Sequence, residues 1–106
     1  MPEPSVQEIR QQRERILLAN LNRLDSEAAS LGEYAAAFRL QNMAIVKGNT
    51  VFISLDWNER ERLSKEWHLL RKRAWEVTDL RSAIMSELCR LQEQREHEQR
   101  AMVTHA

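Results

Sequence analysis

The sequence predicts a mainly α fold: an antiparallel, coiled-coil-like helical hairpin with a short β-hairpin between the two long helices. Three observations carry that expectation. Only two Gly and two Pro occur in 106 residues, which leaves little material for loops. Apolar residues recur in alternating steps of four and three along two long segments. Between them, "AIVKGNTVFISLDWNERE", residues 44–61, turns to β-branched, alternating character around a Gly-Asn pair.

The elements follow in order. Ser5 and Glu8 form an S-x-x-E capping box, so the first helix is expected over 6–42. Its apolar seam is Leu17, Leu21, Leu24, Ala28, Leu31, Ala35 and Phe38, with Ile9 and Ile16 widening the face. Gly32 costs about 1 kcal/mol in a helix interior, so a break within "SLGEY" is the alternative to a continuous helix. A β-hairpin is expected over 43–55, with Gly48-Asn49 as the two-residue turn because both tolerate positive φ. Val51, Ile53 and Leu55 would share one side, and Thr50, Phe52 and Ser54 the other. The competing reading makes Gly48 the C′ residue of the first helix and leaves one extended strand. Asp56 with Glu59 caps the second helix, expected over 57–94, whose seam Leu63, Leu70, Val77, Ile84, Leu91 repeats every seven residues. Trp67, Ala74, Arg81, Leu88 and Arg95 take the alternate positions. After Leu91 the seam decays, and residues 95–106 read as a polar tail of a single domain. Folding the two arms together sets Ala28 opposite the region of Arg71, Ala35 opposite Ser64, and Ser5 opposite about Gln94. Small alanines then meet Trp67 and Trp75 within about a turn, which lets two helices approach closely.

Composition narrows the function classes. Charged residues make up 30% of the chain at zero formal net charge, which fits an ordered helical protein and gives no general attraction to polyanions. The start, MPEPSV, lacks the basic and apolar regions of a signal peptide, and no apolar run approaches the roughly 18 residues of a membrane span. A single cysteine, Cys89, excludes an internal disulfide and suits a reducing cytoplasm, where it reads as a half-buried inert thiol. No phosphate-binding glycine loop, H-E-x-x-H or Cys-x-x-Cys pattern is present. His97 stands between Glu96 and Glu98, but adjacent helical residues do not face one another. The expectation is therefore a non-enzyme with no cofactor, no metal and no small-molecule substrate.

Two helices that lean on each other bury one stripe each, a thin core for a chain of this length. Leu69 and Trp75 fall off the seam and read as one exposed anchor, since large aromatics tend to dominate binding energy. Val51, Phe52 and Ile53 would carry strand pairing, and Trp57 would brace the hairpin on the second helix. The sheet element is expected to be a device for self-association or docking; the alternative is a turn folded back on its own helices. "RLSKEWHLLRKRAW", 62–75, carries Arg62, Lys65, Arg71, Lys72 and Arg73 among tryptophans, a composition able to contact a polyanion or an acidic protein.

"KGNTVFISL" followed by "NERERLSKEWHLLRKR" resembles the second strand and following helix of prefoldin β-type subunits. The helix, Gly-Asn hairpin, helix layout resembles that family over most of the chain. The resemblance implies hairpins that assemble into a barrel platform and coiled-coil tips that hold unfolded clients. The expected function is a non-catalytic helical interaction protein, either an oligomeric adaptor or a regulator or inhibitor of a larger protein; the alternatives are a prefoldin-like holdase and a nucleic-acid-binding regulator using residues 60–73.

Overall fold

The computed structural model describes residues 3–105; Met1, Pro2 and Ala106 lie outside the described residues, as do the side chains of residues 104 and 105. Its order is α1 (Val6–Asn42), β1 (Met43–Val46), β2 (Asn49–Phe52) and α2 (Trp57–His105). Two long helices joined by a short antiparallel hairpin are the expected fold class. Gly32 does not break α1, because its neighbours are strong helix formers and the cost of one glycine is small against a 37-residue element.

Both caps form. Ser5 Oγ accepts the Glu8 N–H at 3.1 Å, and Asp56 Oδ1 accepts the Asn58 N–H at 2.9 Å. At the second cap the reciprocal half of the box is rerouted. Ser54 Oγ donates to Glu59 at 3.0 Å and accepts the Asp56 N–H at 3.2 Å.

That relay explains where β2 stops. The expected strand reaches Leu55, but β1 has four residues because α1 runs to Asn42. The Ile53 N–H still finds the Asn42 carbonyl at 2.9 Å; residues 54–56 then belong to the cap. The turn also moves by one residue. Val46 pairs with Asn49, so the central residues are Lys47 at φ 52° and Gly48 at φ 82° rather than Gly48-Asn49. Two positive φ angles are the signature of a type I′ turn, in which glycine best suits the second position; Lys47 is left with the first.

The third correction is at the end of α2. Residues 95–105 are helical, not a tail. No Gly or Pro follows Leu91 to stop the helix, and its polar face is held by charge: Arg10 forks onto Glu98 with two bonds of 2.6 Å, and Arg95 pairs with Glu14.

The chain divides into two compact units, Met1–Asp25 with Asp79–Ala106, and Ser26–Thr78. In the first, Leu17 is buried, Leu21, Leu24, Ile84, Leu88 and Leu91 are half-buried, and ion pairs cross between the helices at Arg10–Glu98, Arg13–Glu87, Glu14–Arg95 and Asp25–Arg81. Ile9 and Ile16 stand exposed rather than widening the seam. Cys89 is a free, exposed thiol, one residue and about 100° round the helix from the seam residue Leu88, not half-buried. In the second unit Phe38, Leu63 and Val77 are buried, and the Trp67 ring stacks on Phe38 at 5.2 Å between centroids.

Candidate protein-interaction surface

All the residues singled out for binding fall in the unit Ser26–Thr78. Its two helix segments present two unlike flanks, and the difference comes from single residues.

One flank is closed by polar bridges. Arg73 donates to both oxygens of Glu27, at 2.5 and 2.9 Å, and reaches Glu76 at 3.2 Å. The Tyr34 hydroxyl donates to Glu66. The hydrogen bond from Arg73 holds the Glu27 carboxyl below its ordinary range, and the Glu66 carboxylate raises the Tyr34 phenol above its own. These pairs set the register: Glu27 meets Arg73 and Tyr34 meets Glu66, within about two residues of the expected alignment. Leu69 lies three residues from Glu66 and four from Arg73, so it belongs to this closed side and is 64% exposed there.

The other flank is open. Ala28, Gly32, Ala35, Trp67, Arg71 and Ala74 line a groove of about 260 Å³. A Cβ built on Gly32 meets nothing within 4 Å. At Trp67 and Arg71 the groove runs into a wider cleft of about 1030 Å³, whose other walls include Leu40, Ile45, Thr50 and Phe52. Arg39 stands over the Trp67 ring at 5.2 Å from its centroid. Trp75 shares a further hollow with Arg71, Ala74 and Thr78, so it belongs to the open flank.

Leu69 and Trp75 therefore do not form one anchor. Six residues of α-helix turn a side chain to about 120° from its starting direction, and these two point to different flanks. Val51 and Phe52 are half-buried, paired with Ala44 and Met43, and only Ile53 of that trio is exposed. Trp57 is 79% exposed and lies against Arg60, so it caps no core. The five cations are scattered. Arg73 is spent on Glu27 and Glu76, Arg62 on Glu66 and Lys65 on Glu61, while Arg71 and Lys72 carry no ion pair among the described residues.

Sequence reasoning missed the groove. Its signal was present as Ala28, Gly32 and Ala35, small residues in steps of four and three, which form a smooth stripe along one side of a helix. Among the described residues, no three of His, Cys, Asp and Glu stand close enough to hold a metal ion, and no helix is long and apolar enough to cross a membrane. Compared with known proteins, the chain matches no family model, no curated protein and no solved structure.

Proposed function

We propose that the chain is a non-catalytic helical interaction protein, an oligomeric adaptor or a regulator that acts by binding another protein through the unit Ser26–Thr78. One observation carries this reading. Leu40, Ile45, Ile53, Leu55 and Trp57 are each more than half exposed within one stretch of 18 residues around the hairpin. Single exposed apolar residues are ordinary; a concentration of them marks a contact surface. Sheet edges that lack a further strand add unpaired backbone groups to the same region. The single free thiol fits a reducing, cytoplasmic setting.

The test is mass by light scattering on a sizing column, together with capture on the immobilised chain, for the native sequence and for Val51→Lys/Ile53→Lys. The native chain should hold a stoichiometric protein, a copy of itself or another, that the folded variant releases. A native chain that is monomeric and retains nothing would overturn the reading.

The helix–hairpin–helix layout supports a second reading, a prefoldin-like holdase, which predicts that the native chain suppresses aggregation of unrelated unfolded proteins. The nucleic-acid reading has less support, since three of its five cations are neutralised within the chain.

A further inference from the structure

The open flank of the unit Ser26–Thr78 is an apolar trough whose charges have one sign. Met43 pairs with Phe52 and Ile45 with Thr50, so these four share one face of the hairpin. That face forms one wall of the cleft of about 1030 Å³. The two helices form the other wall, where the cleft continues into the groove at Arg39, Trp67 and Arg71. Arg10, Arg13, Arg73, Arg81 and Arg95 each meet a carboxylate of the opposite helix. Among the described residues, Arg39 and Arg71 meet none and make no hydrogen bond, and no Asp or Glu lines the cleft or the groove. Arg39 is held over the Trp67 ring, and Arg71 stands about one helical turn beyond Trp67. Like charges on one wall repel each other, and a carboxylate brought to them is attracted to both.

We propose that this trough is the docking site for an acidic, apolar segment of a partner protein. Apolar side chains of the segment fill the space between the hairpin face and Trp67, and a carboxylate beside them takes the guanidiniums of Arg39 and Arg71. Shape favours a segment over a small molecule. The cleft alone reaches the upper end of the roughly 300–1,000 Å³ of small-molecule sites, and it runs on into a groove of about 260 Å³ between the helices. An open apolar trough of that form suits a helix laid into a groove. Charge and aromatic placement favour a protein over a nucleic acid. A nucleic-acid strand is bound by a track of cations and by aromatic rings that bases can stack on. Here the cations number two, and the Trp67 ring is engaged by Phe38 and Arg39. This inference rests on the reading of the chain as an interaction protein and names the chemistry of its partner.

The experiment is selection of a random peptide library, displayed on phage, against the immobilised full chain. Affinities of the recovered peptides are then measured by fluorescence polarisation, and folding of each variant by circular dichroism. Recovered sequences should carry carboxylates beside Leu, Ile, Phe or Trp. Arg39→Gln and Arg71→Gln keep good helix formers at exposed positions, so both should stay folded and each should weaken binding about tenfold. Arg15→Gln, which removes an exposed, unpaired cation from the other unit, should leave binding unchanged. Arg39→Glu/Arg71→Glu should release these peptides and take versions in which Lys replaces their carboxylates, an exchange that only direct contact explains. Peptides that ignore Arg39→Gln and Arg71→Gln, recovered sequences without carboxylates, or no recovered sequences overturn the proposal. Equal binding of decanoate or of a single-stranded oligonucleotide also overturns it, assigning the trough to a small amphiphile or to nucleic acid. In each of these cases the proposed function still stands if the native chain holds a stoichiometric protein that Val51→Lys/Ile53→Lys releases.

Discussion

Lys47 holds a backbone angle that side chains seldom adopt. A left-handed conformation costs a non-glycine residue about 1 kcal/mol, and asparagine before glycine is the pair a type I′ turn prefers. Lys47→Asn should therefore raise stability by about 0.5–1 kcal/mol in a denaturant melt; no gain would mean that the turn is held by contacts beyond its own backbone. Gly48, at φ 82°, should behave oppositely, with Gly48→Ala destabilising by about 1 kcal/mol or more. The displaced turn shows what one residue type can hide. Gly-Asn and Lys-Gly lie one step apart, and glycine serves either position; the pairing of Val46 with Asn49 decides between them. The caps at Ser5 and Asp56 were legible because an oxygen side chain before an apolar repeat has one local use. The flank occupied by Leu69 was also legible, since six residues of helix fix the angle, yet apolar character alone suggested a shared face with Trp75.

Helices show the same division between local and non-local information. The seam positions Leu17, Phe38, Leu63 and Val77 are the buried ones, because a heptad spacing has to face a partner. The far end of α2 was not legible, because its support comes from charges eighty or more positions away, Arg10 on Glu98 and Glu14 on Arg95. Removing one partner should free that end. In Arg10→Gln, amide exchange over residues 95–103 should accelerate while residues 60–77 keep their protection; unchanged exchange at the end of α2 would show that helix propensity alone sustains it. Acid should act similarly. Hydrogen bonds from Arg13 and Arg10 hold the Glu87 and Glu98 carboxyls below their ordinary value, as Arg73 does Glu27. Groups with lowered folded values stabilise the fold above the ordinary carboxylate range and stop doing so as pH falls through their folded values. Thermal stability followed by circular dichroism should thus be flat near neutrality and decline below about pH 4.5. A profile with its main step near pH 6.5, the histidine range, would contradict this.

At the scale of the whole molecule, layout and register were legible together, since short connections between two long arms leave one way to pair them. The groove was not, because it depends on which flank the bridges occupy, and a sequence shows charges without showing their partners. The two units also differ in what binds their helices: an aromatic stack, three buried apolar side chains and the Arg73–Glu27 and Tyr34–Glu66 bridges in Ser26–Thr78, four ion pairs and one buried leucine in the other. Exposed ion pairs are screened by salt, whereas apolar burial is not. In molar salt, exchange should speed up over residues 81–98 more than over residues 60–77; equal acceleration would mean that charge holds neither unit in particular.

The placement of the chain's chromophores has a practical result. Trp57, Trp67 and Trp75 all lie in Ser26–Thr78, while the sole thiol, Cys89, lies in the other unit and is exposed. The native molecule therefore carries two optical channels that do not overlap. Intrinsic emission reports one unit, and a dye on the thiol reports the other, with no added label site in either. Occlusion of Trp75 shifts the first channel to the blue and leaves the second unchanged, whereas melting of the charged unit moves the second alone. Docking and local unfolding can thus be separated in a single titration of the wild-type chain.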